Sequence, residues 1–103
     1  MNKFANLHMF SDIEPFEVVR VVSEKTVDVR RMKAERDPNW KPTMHVNGFS
    51  VHCSNNNEQK SIIESDEEGE IVRIRLRKDG RWYSKYGRHV FSDNARHFYD
   101  YNF

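Results

Sequence analysis

Apolar and polar residues alternate most regularly between Ile71 and Leu76, where Val72, Ile74 and Leu76 are interleaved with Arg73, Arg75 and the following Arg77. Successive side chains of a strand point to opposite faces, so this spacing predicts a strand with one apolar face and one face of arginines. Asp79-Gly80 comes next, a strong signal for a two-residue hairpin turn. The returning arm, Arg81 to Tyr86, brings Trp82, Tyr83 and Tyr86 beside Arg81 and Lys85. A second hairpin is predicted upstream. Phe16 to Val22 is rich in β-branched residues, and its doublets Val18-Val19 and Val21-Val22 put apolar groups on both faces, the pattern of a central strand. Ser23-Glu24-Lys25 then turns into Thr26 to Met32, where Val27 and Val29 oppose Asp28 and Arg30.

The remaining segments carry weaker patterns. Residues 1–14 show no firm period. Phe4, Leu7 and Phe10 fall on one side of a short helix, and Pro15 ends the segment. The chain therefore divides into an N-terminal extension, 1–14, and one small β domain, 15–103. Lys33 to Asn47 reads as a long irregular loop, with turn chemistry at Asp37-Pro38-Asn39 and Lys41-Pro42. Trp40, between the prolines, favours an ordered loop anchored on the core. Phe49 to Cys53 is a third strand and Gln59 to Glu64 a fourth, followed by a turn at Asp66-Glu67-Glu68-Gly69. The tail from Arg96 to Phe103 is dense in aromatics and is expected to pack against the barrel or a partner chain. Together these elements predict a mainly β chain of roughly five to seven short strands. The fold class is a small antiparallel SH3-like β-barrel or strongly twisted sheet, with a long Trp-containing loop and an aromatic C-terminal tail.

Composition narrows the function classes. With 103 residues the chain fits a single domain, and a formal net charge of +1 excludes a uniformly basic nucleic-acid coat. Charge is instead segregated. Glu64, Asp66, Glu67, Glu68 and Glu70 precede a basic run from Arg73 to Arg88 that only Asp79 opposes. A single cysteine, Cys53, forbids an intrachain disulfide. No signal peptide or membrane-length apolar run is present, so a cytoplasmic protein is expected. His45, His52, Cys53, His89 and His97 lack the spacing of a metal site, and adjacent His52 and Cys53 point to opposite faces of a strand. Cys53 paired with a histidine is the remaining catalytic option. The four glycines are isolated, so no nucleotide loop is formed. The expectation is a non-enzymatic protein without cofactor or metal.

The basic hairpin is the candidate site. Arg73, Arg75 and Arg77 recur at about 7 Å along a strand, near the spacing of backbone phosphates. Arginine forks grip phosphate bidentately, and neighbouring rings stack on bases. The candidate ligand-binding residues are Arg73, Arg75, Arg77, Arg81, Trp82, Tyr83 and Lys85, with Trp40 from the long loop. The same arginines are equally explained as a solvated sheet face paired with the acidic run Glu64 to Glu70.

Pro15-Phe16-Glu17-Val18-Val19, the turn Ser23-Glu24-Lys25-Thr26-Val27, Gly69, the segment Arg77 to Trp82 and the terminus Tyr99-Asp100-Tyr101-Asn102-Phe103 together resemble a group of small accessory proteins of tailed bacteriophages and prophages. The resemblance implies action by binding in the host cytoplasm. The leading expectation is a phosphate-bearing ligand, a nucleotide immune signal or a nucleic acid, bound to counter host defence. The alternatives are a protein–protein inhibitor of a host nuclease or defence complex, with the acidic run mimicking phosphates, and a small enzyme using Cys53 or a histidine. The inventory of Trp40, Phe98, Tyr99, Tyr101 and Phe103 further predicts a homo-oligomer with the tail near its seam.

Overall fold

The structure, a computed structural model, describes residues 2–47 and 50–100. Strand β9 (Ile71–Leu76) lies where the alternation predicts it, with Val72 and Ile74 buried and Arg73 and Arg75 exposed. It pairs antiparallel with β4 (Thr26–Arg31), Val29 opposite Val72 and Val27 opposite Ile74. Four β-branched or aliphatic residues thus meet on one face, the unit from which a sheet core is built. Around this pair run β1 (Phe4–His8), the short β2 (Ile13–Glu14), β3 (Phe16–Ser23), β10 (Trp82–Ser84) and β11 (Gly87–Ser92). The order is β11-β10-β9-β4-β3-β1-β2, and β11 also pairs with β1 from Phe4↔Ser92 to His8↔Arg88. Six antiparallel strands therefore close into a barrel, which removes most of the sheet edges.

The barrel centre holds Ala5, Leu7, Phe16, Val27, Val29, Val72 and Ile74, with Val18, Trp82 and Phe91 packed against them. His89 also points inward. Its Nδ1 lies 2.9 Å from the Ala5 carbonyl oxygen and its Nε2 2.8 Å from Ser84 Oγ. A carbonyl only accepts, so Nδ1 carries the proton and Nε2 accepts from the serine. Burial pushes the His89 pKa down.

Four expectations are corrected here. First, the 1–14 segment is no helix and no mere extension. It supplies β1, which closes the barrel, and β2 at its margin. Ala5 and Leu7 face the core. Asn6 faces outward but is covered by the tail, donating to the Asn94 carbonyl and accepting from the Arg96 N–H, both at 3.0 Å. Three consecutive buried residues erase any simple period.

Second, β3 is not buried on both faces. Its pairing with β4 shifts register between Val18 and Arg20 and again between Val21 and Ser23. Val19 and Val22 are the extra residues of two β-bulges, and each valine doublet brackets one. Only Phe16 is fully buried, and Val19, Val21 and Val22 are exposed.

Third, Lys33 to Asn47 is largely strand. β5 (Lys33–Arg36) pairs with β8 (Ser61–Glu64), and β6 (Met44–Asn47) with β7 (Ser50–Cys53). These ribbons continue the β4–β9 hairpin as an arm, which stretches the molecule to 52 × 29 × 21 Å. The described residues therefore form eleven strands, beyond the five to seven expected.

Fourth, the Asp79-Gly80 turn is longer than two residues. Gly80 N–H bonds to Arg77 O and Arg77 N–H to Arg81 O, both at 2.9 Å, and within this turn only Gly80 has positive φ, at 79°. That is a turn with a glycine bulge, which spares Asp79 the left-handed conformation. Gly48 and Phe49, at the start of the expected third strand, lie outside the described residues, as do Tyr101, Asn102 and Phe103 of the tail.

Candidate nucleic-acid interface

Pairing registers align one row of outward residues across five strands. Thr26 of β4 faces Arg75 of β9, Arg75 faces Tyr83 of β10, Tyr83 faces Arg88 of β11, and Arg88 faces His8 of β1. Neighbouring strands are about 4.8 Å apart, so Tyr83 is flanked by a guanidinium on either side. Arg77 adds a third. Its Cζ sits 4.5 Å from the Tyr83 ring centroid, a cation–π contact. Tyr83 Oη donates to Asp79 Oδ2 at 2.7 Å, and this bond, with the Arg81 backbone N–H, holds the Asp79 carboxyl below its usual range. The hairpin geometry thus ties down its own acid and aims the tyrosine.

Arg73 differs from its neighbours. It forks onto Asp28, directly across on β4, with Nε–Oδ1 at 2.9 Å and Nη2–Oδ2 at 3.3 Å. The bond lowers the Asp28 pKa and raises that of Arg73. Solvent screens an exposed pair of this kind, so it adds little to stability. Arg75, Arg77, Arg81 and Arg88 make no ion pair among the described residues. The acidic run does not neutralise the arginine face. Glu70 accepts from the Tyr86 hydroxyl at 2.6 Å and pairs with Lys85 Nζ at 3.1 Å, and these bonds lower its pKa.

The candidate residues therefore separate. Arg75, Arg77 and Tyr83 converge. Arg73, Arg75 and Lys85 line one shallow open depression, and Arg81 lines another with Arg88 and the edge of Trp82. Trp82 does not join the stacking face. It shares the inward register of Leu76 and His89, packs on the core, and meets Phe91 edge-on at 5.2 Å between centroids. Trp40 is buried in the arm between β5 and β6, outside the barrel's core cluster and away from the row. Arg88 and His8 extend the row, and neither is among the candidate binding residues read from the sequence. Only the β11–β1 closure brings Arg88 against His8, and no local pattern signals a pairing across eighty residues.

The tail packs on its own barrel. Phe98 exchanges two 2.9 Å backbone hydrogen bonds with Ile13, and Asp100 N–H bonds to Asp12 Oδ1 at 2.9 Å. It also ties down the arm. Gln59 Nε2 donates to the Tyr99 carbonyl, Asn56 Nδ2 donates to Asp100 Oδ1 at 3.0 Å, and Ser61 Oγ lies 2.9 Å from His97 Nδ1. Among the described residues no helix is long and apolar enough to cross a membrane. Comparison with protein-family models, with curated proteins and with solved structures finds no match for this chain.

Proposed function

We propose that this protein acts without catalysis, as an accessory protein of phage type that binds single-stranded nucleic acid across the outer face of its barrel. The observation carrying the reading is the cluster of Arg75, Arg77 and Arg88 around Tyr83, with none of the three arginines ion-paired to a carboxylate among the described residues. Guanidinium planes are both phosphate clamps and stacking surfaces. Arg77 already lies on Tyr83, so the platform offered to a base is the stacked pair rather than a bare ring. The depressions on this face are shallow and open, which favours an extended strand over a small nucleotide signal, since small ligands take enclosed pockets. The resemblance to phage accessory proteins supports a role in countering host defence.

The test is fluorescence anisotropy with a labelled ten-residue oligothymidylate and its RNA counterpart. Affinity is expected to fall linearly in log salt, with a slope near −0.7 for each phosphate contact. Arg75→Glu is expected to weaken binding strongly with the circular dichroism unchanged. A second reading, inhibition of a host protein through phosphate mimicry, is favoured by exposed Glu64, Glu67 and Glu68, which make no ion pair among the described residues. Absence of oligonucleotide binding at low salt would put that reading first.

A further inference from the structure

The row of outward residues does not stop at Arg88. Beyond it, on β1, stands His8, and the tail brings Arg96 to the same place. Asn6 and His8 share the outward face of β1. Asn6 holds the chain at Asn94 and Arg96 through its two 3.0 Å hydrogen bonds, so Arg96 is anchored one step along that face from His8. Arg88 and Arg96 are exposed, and neither makes an ion pair among the described residues. Two residues past His8, at the tip of the turn closed by Met9 N–H on Asp12 O, Phe10 is 98% exposed. A bare phenylalanine at a loop tip next to unneutralised cations has a use when a base stacks on it.

We propose that His8, Arg88 and Arg96, with Phe10 on the adjoining turn, form a second subsite that clamps one further phosphodiester and stacks one further base of a single-stranded nucleic acid. This inference rests on the nucleic-acid reading of the Arg75–Tyr83 cluster and extends it. Three strand spacings separate Arg75 from His8, about 14 Å. Because six strands close the barrel, Arg75 and His8 lie half its circumference apart, so a bound strand curves around the outside on a path longer than this ~14 Å and takes more than four nucleotides at about 3.4 Å each.

The subsite has a proton signature. The charged groups acting on His8 are Arg96 from the tail and Arg88 from β11, while Asp12 in the β1–β2 turn accepts from the Asp100 N–H. Ile13 opposite it on β2 is apolar, and His89, electrostatically coupled to it, points into the core. Burial and the two arginines hold the His8 pKa below 6.5 in the unliganded protein. A phosphate seated between the arginines offsets their charge and favours the imidazolium. Binding therefore takes up a proton and tightens as pH falls.

The experiment measures dissociation constants for oligothymidylate, whose thymines do not titrate in this range, at pH 7.5 and 5.5 in fixed salt. Circular dichroism confirms the fold at both values. The wild type is expected to bind several-fold more tightly at pH 5.5, and His8→Gln to remove that difference. Phe10→Ala is expected to weaken binding roughly 5- to 150-fold, the range for losing one stacked base, and Arg96→Gln to lower the salt slope by about one phosphate contact. If the wild type binds, Arg75→Glu abolishes binding, and yet pH, Phe10→Ala and Arg96→Gln have no effect, the subsite is overturned while the nucleic-acid reading stands. If the wild type binds nothing, or Arg75→Glu leaves binding intact, that reading falls and the subsite with it.

Discussion

Ile71 and Ile74 are the same residue type on the same strand, and the barrel gives them opposite fates. Ile74 is 0% exposed at the core, and Ile71 is 59% exposed. Truncating Ile74 to alanine removes three carbons that are wholly shielded from water, about 2.4 kcal/mol of transfer free energy at ~0.8 kcal/mol per methylene. It also leaves a cavity between Val27, Val29 and Val72, and the usual cavity term raises the total to roughly 3–4 kcal/mol. Ile71→Ala leaves no cavity and forfeits less than half of the transfer term, about 1 kcal/mol. The assay is urea unfolding followed by circular dichroism, with thermal melts alongside. At about 4–8 °C per kcal/mol for a domain of this size, Ile74→Ala is expected to lower Tm by roughly 12–30 °C and Ile71→Ala by well under 10 °C. Equal losses, or a larger loss at Ile71, would refute the register, because a one-residue slip of β9 exchanges its two faces.

Other perturbations test separate parts of the structure. Gly69→Ala is expected to destabilise by about 2 kcal/mol or more, as its Cβ would sit 2.1 Å from the Arg31 carbonyl oxygen and force the turn off β4. Global stability is expected to decline as pH falls below 6.5. His89 and His8 have folded pKa values below the unfolded 6.5, so the unfolded chain binds more protons there and their contribution, complete above 6.5, is lost on acidification. His89→Gln is expected to flatten that slope in a pH series of urea melts. Breaking the cross-strand pair by Arg30→Met is expected to cost about 1–3 kcal/mol, because Nε and Nη2 of Arg30 both donate to Glu17 Oε1, at 3.1 and 2.6 Å, in a half-buried setting. The comparison is Arg73→Met, whose solvent-screened pair with Asp28 is expected to cost less than the Arg30 pair.

Local pattern was sufficient for the β3–β4 hairpin and for the two faces of β9, because alternation at period two is a property of contiguous residues that a strand converts directly into inside and outside. It was also sufficient to place Arg73 and Arg75 of β9 on the outer face, since a face of guanidinium groups cannot be core. Tertiary structure decided everything that depends on partners distant in sequence. β1 has no readable period because Asn6 is buried by the tail rather than by the barrel. The valine doublets of β3 belong to bulges, which become visible only against the register of β4. Trp82 and Tyr83 are adjacent in sequence and chemically alike, yet the pairing with Leu76 and Arg75 sends one ring into the core and leaves the other among arginines. Which arginines keep their charge unneutralised was settled by cross-strand geometry, which gives Asp28 to Arg73 and, among the described residues, no carboxylate to Arg75 or Arg88. Barrel closure then sets Arg88 against His8, because strands remote along the chain become neighbours only when the sheet curls back on its first edge.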